Sequence, residues 1–186
     1  MERKIVSCEE TLALVLGTKV PFKGDDKYTH ALDKLDKVKF KISCIDCSKR
    51  GVQARGFLEV DPMAIKICAD RIQSTEVQML VNHELVHAYD YALGRCDFST
   101  GQGLAYSEVR AAREAECSGW FLHDYFRTLC IKDHATRSTQ KIFSSSSSSS
   151  SAASSAASCV DEVYESAMRD LEPYQSNSPS VSQQQQ

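Results

Sequence analysis

The sequence predicts an α+β fold in which a small sheet packs on one buried helix and a second long helix lies beside it. Three observations predict this. Thr75 to Leu93 runs without Pro or Gly and carries helical periodicity. Immediately before it, GFLEVDPMAIKIC (residues 56–68) reads as a hairpin, with Gly56 to Val60 and Ala64 to Cys68 alternating about an Asp61-Pro62 turn. After Gly94 and a loop, a helix from about Leu104 to Cys130 places Glu108, Ala111, Ala112, Ala115 and Gly119 on one stripe of small residues.

The central helix has its own punctuation. Thr75 is a good N-cap, Gln78 completes a capping-box pattern, and Gly94 is the stop. Val77, Leu80, Val81, Leu85, Val86, Ala88 and Leu93 make it apolar around most of its circumference, so it is expected to be buried. Within Val81 to Ala88 the only charged side chain is Glu84. An unpartnered charge in such a helix is costly, so a lone glutamate there points to a task.

That task is suggested by His83-Glu84-Leu85-Val86-His87. Residues four apart on a helix stand one above the other, so His83 and His87 offer two imidazoles to one point. Two neutral imidazoles fix two corners of a zinc tetrahedron, and Glu84 beside them can take a proton from a water. This is the HExxH pattern of zinc peptidases, and it makes the expected fold zincin-like. The bland reading is a buried helix with two ordinary histidines; the uncharged flanks favour the metal.

A catalytic zinc site needs a third protein ligand. Glu108 is the candidate, 21 residues beyond His87, because the small-residue stripe lets its helix approach the first closely. Asp90 lies three residues past His87, where one straight helix cannot wrap three ligands round a metal; it suits a second layer, holding a ligating imidazole. His123 sits about 22 Å beyond Glu108 along a continuous helix and needs a break to reach the site. His30 and His134 have nothing near them in sequence that suggests a site.

The rest of the chain sets limits. Its 186 residues suit one domain with tails. A net charge of −3 without a basic cluster gives no nucleic-acid surface. No apolar run reaches the ~18 residues of a membrane span. Near the N-terminus, Glu9 to Leu16 is expected to be a short helix; Glu9 and Glu10 interrupt the apolar segment, which matches neither a secretory signal nor an Arg-rich transit peptide. Tyr28 to Val38 has helical spacing, and Phe40 to Gly51 reads as a loop or knuckle. The eight cysteines read as disulfides in an oxidising compartment; a zinc knuckle at Cys44 and Cys47 or free core thiols are the alternatives.

Four regions follow: a zinc peptidase core over 1–143, a Ser/Ala low-complexity tether over 144–158, a helix over 159–174 that docks back through Val160, Val163, Tyr164, Ala167, Met168 and Leu171, and a disordered polar tail over 175–186.

HELVHAYD, SEVRAAREAECSG, Cys130-Ile-Lys-Asp-His-Ala-Thr and VDEVYES with EPY, in this order and spacing, resemble the mitochondrial inner-membrane metallopeptidase family. The likeness runs from about Cys44 to Tyr174. Relatives often carry a cysteine where this chain has Tyr106, Cys96 is unusual, and the Ser/Ala tract replaces an ordinary sequence before the last helix. The resemblance implies a Zn2+ enzyme with His83 and His87 as ligands and Glu84 as the catalytic residue. It also implies a polypeptide substrate, the precursor of an ATP synthase membrane-sector subunit, and help in assembling that sector. The location implied is the intermembrane space, peripheral on the inner membrane, with oxidised cysteines. The alternative role is a non-proteolytic assembly chaperone using the same cleft.

Overall fold

The computed structural model describes residues 2–17, 35, 40–51, 53–119, 123–143 and 149–174. Among them are five α-helices and a three-stranded sheet: α1 (Glu2–Gly17), β1 (Lys41–Ile45), β2 (Gly56–Val60), β3 (Met63–Cys68), α2 (Val77–Ala92), α3 (Gly101–Glu114), α4 (Asp124–Phe143) and α5 (Ser149–Arg169). The architecture is α+β, as the sequence predicts.

The hairpin forms where expected, with β2 antiparallel to β3 from Gly56↔Ile67 to Val60↔Met63. The segment read as a loop or knuckle does not hold. Lys41–Ile45 is β1, parallel to β3 from Lys41↔Ala64 to Ile45↔Cys68, giving the order β1-β3-β2. A parallel partner lies a full crossover away in the chain, so β1 leaves no local turn signal. As the central strand, β3 buries Ala64, Ile65, Ile67 and Cys68, while Lys66 turns out towards Glu59.

Cys44 and Cys47 form no zinc knuckle: Cys8 is bonded to Cys44, Cys47 to Cys68, and Cys117 to Cys130. The first bridge fastens α1 to β1 and the second fastens the β1 loop to the end of β3. Cys96 and Cys159 are free thiols.

The helix α1 contains the expected Glu9–Leu16 segment and starts earlier, at Glu2. Of the expected Tyr28–Val38 helix only Leu35 lies within the described residues, and it is buried in the core; His30 lies outside them. Ahead of α2, a 3-10 turn over Ser74–Glu76 moves the cap from Thr75 to Gln73, whose N–H donates to Glu76 Oε2 at 2.9 Å. Gly94 does stop the helix, at φ +58°, a conformation that glycine adopts without steric cost.

The predicted long helix from Leu104 to Cys130 is two helices. The backbone leaves helical geometry at Ala115 (φ −114°, ψ −93°) and resumes at Asp124. The Cys117–Cys130 bridge requires the break: its Cα atoms are 6.0 Å apart, whereas thirteen residues of unbroken helix span about 20 Å. The predicted tether does not run to Ser158. Residues 144–148 and the 175–186 tail lie outside the described residues, but Ser149 to Ser158 belong to α5. Alanine is the best helix former, and Ala156 is buried one turn before Val160, prolonging the docking stripe.

Two apolar clusters result. One joins α1, the sheet and α2 through Cys8, Leu12, Leu35, Ile65, Ile67, Val81 and Leu85. The other joins α3, α4 and α5 through Ala105, Val109, Ala112, Ile131, Val160, Tyr164 and Ala167. The seam between them is α2 against α3. No helix among the described residues is long and apolar enough to cross a membrane.

Candidate metal centre

The seam brings together the three residues singled out as ligands. His83 and His87 Nε2 lie 3.1 Å apart. Glu108 Oε2 is 3.6 Å from His83 Nε2, and its Oε1 is 3.6 Å from His87 Nε2. Four donors about 2.05 Å from one zinc are mutually separated by about 3.4 Å; each of these approaches is near that value, with one Glu108 oxygen facing each imidazole and the ligand atoms of the three residues within 4.8 Å of one another. The donor chemistry fits as well. Glu108 Oε2 is buried with no hydrogen-bond partner, and two imidazole nitrogens facing each other at 3.1 Å repel unless a proton or a cation lies between them. These three side chains are the group of metal-binding type among the described residues.

Each imidazole is held from behind by its other nitrogen. His83 Nδ1 is 3.1 Å from Glu116 Oε2, and His87 Nδ1 is 2.8 Å from Ser107 Oγ. Such contacts fix ring orientation and tautomer and leave Nε2 aimed at the shared point. Sequence reasoning missed both. Ser107 had a signal, because it precedes Glu108 on a helix already assigned to the site. Glu116 had none, because it reaches His83 only through the turn that ends α3.

Asp90 does not hold His87. Three residues advance the helix by about 300°, which turns Asp90 towards Arg110 of α3. Both are fully buried; Arg110 Nη1 donates to Asp90 Oδ1 and Nη2 to the Glu172 carbonyl. Arg95 adds a second cation 3.9 Å from Asp90 and binds Asp170 and Glu172. Asp90 therefore anchors the seam, with Ser107 between it and the imidazole. His123 is exposed and stays apart from the triangle, whereas His134 of α4 lies near enough to Glu116 to lower its pKa.

The charges of the site act strongly on one another because they are buried. Burial pushes Glu84 up to about 6 and Glu108 up to about 7. Burial alone pulls His83 down, but the hydrogen bond to Glu116 and the charges of Glu108 and Glu84 carry it to about 9. Burial and the His83 charge hold His87 well below its ordinary value. The three glutamates thus favour positive charge at the point the two imidazoles share, which is what a divalent ion supplies.

The chain matches the model of the Peptidase M76 family over residues 15–175. It is 34% identical over 144 residues to the Homo sapiens protein named "Mitochondrial inner membrane protease ATP23 homolog", covering 71% of this chain and 54% of that one. A Danio rerio protein of the same name is 31% identical over 144 residues, covering 71% and 52%. The chain spans about half the length of the curated relatives it matches. No solved structure matches it. With the family pattern covering both helices of the seam, this chain belongs to the Peptidase M76 family.

Proposed function

We propose that the chain is a zinc-dependent endopeptidase of zincin type, with His83, His87 and Glu108 as ligands and Glu84 as the catalytic carboxylate. The observation that carries this reading is the convergence of His83 Nε2, His87 Nε2 and the two Glu108 carboxylate oxygens, with nearest approaches of 3.1–3.6 Å and a buried carboxylate oxygen that has no hydrogen-bond partner. A zinc ion bound there supplies Lewis-acid polarisation of a carbonyl and makes water acidic. Glu84, raised to about 6 by burial, is suited to accept a proton near neutral pH and deliver it to a leaving amine. Ser107 and Glu116 keep the two imidazoles in register. β2, at the edge of the sheet among the described residues and packed against α2, offers an edge along which an extended polypeptide can lie.

The relatives' names support a protease at the mitochondrial inner membrane. The family resemblance supports the finer reading: an ATP synthase membrane-sector subunit precursor as substrate, assistance in assembling that sector, and a peripheral place on the intermembrane-space side. Three disulfides suit an oxidising compartment.

Metal content and cleavage test the reading together. Wild type should hold one zinc, and His83→Ala and Glu108→Ala should lose it while keeping their far-UV circular dichroism. Glu84→Gln should keep the zinc and the fold and lose cleavage by a hundredfold or more, on the order expected for general acid-base work. Full zinc in Glu108→Ala overturns the ligand set. Assembly activity surviving in Glu84→Gln without cleavage would assign the cleft to a chaperone.

A further inference from the structure

The stripe that carries the two imidazoles does not end at His87. Tyr91 lies four residues further on, one turn along the same face of α2. It is 44% exposed. Against both packs Phe98, from the loop between α2 and α3. Its ring meets His87 edge-on, with centroids 6.2 Å apart and planes at 79°, and meets Tyr91 at 6.1 Å and 58°.

This loop is built to hold its shape. The Arg95 N–H donates to the Asp90 carbonyl at 2.9 Å. Asp97 Oδ1 accepts from Ser99 N at 2.9 Å and from Ser99 Oγ at 2.6 Å. Thr100 caps α3, its Oγ1 accepting from Gly103 N at 3.0 Å. The first turn of α3 presses so closely on the loop that a Cβ on Gly103 would stand 2.0 Å from the Asp97 carbonyl oxygen. Phe98 is thus fixed by the same two helices that supply the metal triangle, and half of an aromatic shelf is left open beside it.

The two imidazoles differ in surroundings. Glu84, Glu108 and Glu116 bring negative charge to His83, while Phe98, with Tyr91 packed on it, brings aromatic surface to His87. Ligand pockets combine apolar walls with few convergent polar groups, and the pair of aromatic rings beside a metal-ligand imidazole has that composition. We propose that Phe98 and Tyr91 form the subsite for a large apolar side chain of the polypeptide substrate, at the residue flanking the bond that is cut. The inference rests on the proteolytic reading and adds a specificity to it.

The test uses zinc-loaded full-length protein and internally quenched peptides that differ at one flanking residue: Leu, Phe, Ala or Glu. Wild type should cleave the Leu and Phe peptides with kcat/KM about tenfold or more above the Ala peptide, the scale of discrimination by an apolar pocket. Phe98→Ala should bring that ratio towards one while zinc content stays at one per chain. Tyr91→Ala should shift it the same way and by less. If Phe98→Ala loses zinc or fails to fold, Tyr91→Ala and Phe98→Leu decide by the same ratio. A wild type without the preference, or variants that keep it, overturns the subsite.

Peptide binding to zinc-loaded Glu84→Gln, read by fluorescence anisotropy, separates the two ideas. If wild type cleaves no peptide, the proteolytic reading fails. Tighter binding of the Leu and Phe peptides that disappears with Phe98→Ala or Tyr91→Ala then still supports the subsite, and equal binding of all four overturns it.

Discussion

The two sides of the α2–α3 seam are held together by different means. On the sheet side, α1, the strands and α2 share one apolar cluster, and two disulfides bind α1 to β1 and the β1 loop to β3. On the helical side, α3, α4 and α5 share a cluster rich in alanine, with one disulfide and a buried guanidinium network. Arg113 donates to the carbonyls of Ala167, Met168 and Asp170, so it closes the C-terminal end of α5. Arg110, fully buried, ties α3 to Asp90 of α2 and to the Glu172 carbonyl. Covalent bonds secure the side whose strands come from distant segments. Charges secure the side from which α3 must present Glu108 to the two imidazoles of α2.

The network on the helical side should be the more fragile element. Removing Arg110 leaves Asp90 buried, with Arg95 as its remaining cation at 3.9 Å. Breaking one partner of a buried pair costs about 3–5 kcal/mol. Arg110→Met should therefore lower stability by that amount in denaturant melts and weaken zinc binding, because the seam also sets His87 against Glu108. The double variant Asp90→Asn with Arg110→Met should recover part of the loss. A single variant with unchanged stability and unchanged zinc affinity would show that packing alone holds the seam.

The disulfides come next, and here the two sides can be ranked. Loop-closure entropy grows with the length enclosed, and the separations are 36 residues for Cys8–Cys44 and 13 for Cys117–Cys130. On the chain-entropy model these bridges contribute about 3.8 and 2.9 kcal/mol. Replacing each pair by serine should destabilise the sheet side more in hydrogen exchange. The Cys117 pair should do less to stability and more to zinc binding, because Glu116, next to it, holds His83. Equal effects on zinc would detach Glu116's position from that bridge.

The same division governs what the sequence discloses. Patterns contained in one segment were legible. The HExxH helix, the hairpin, Glu108 on its small-residue stripe and the apolar face of Val160 to Met168 each carry their periodicity within a few turns. Features made by distant pairing were not. β1 becomes a strand only beside β3, and α3 breaks only because Cys117 must reach Cys130. Glu116 meets His83 only across that break, and Asp90 finds Arg110 rather than an imidazole because α3 covers that face of α2. The Ser/Ala tract misled in the opposite way: its low complexity hid the helix propensity that extends α5 back to Ser149.

The smallest effect belongs to a strap that crosses from one side to the other. After α5 ends at Arg169, Asp170 accepts from the Tyr106 hydroxyl at 2.6 Å and from Arg95, which keeps the strap on the helical side. Four residues on, Tyr174 packs against the sheet-side cluster, and its hydroxyl donates to the Asn82 carbonyl at 2.9 Å. Asn82 immediately precedes His83, so this bond lets the strap touch the backbone of the metal helix. A single neutral hydrogen bond is worth about 1 kcal/mol. Tyr174→Phe keeps the ring in its cluster and removes only the hydroxyl, so stability should fall by about that much and zinc content should not change. Tyr174→Ala also removes the ring and should cost more, with faster hydrogen exchange at the start of α2. If Tyr174→Phe already matches Tyr174→Ala, the strap works through its hydroxyl; if Tyr174→Phe is silent, it works by packing, as the sheet side does.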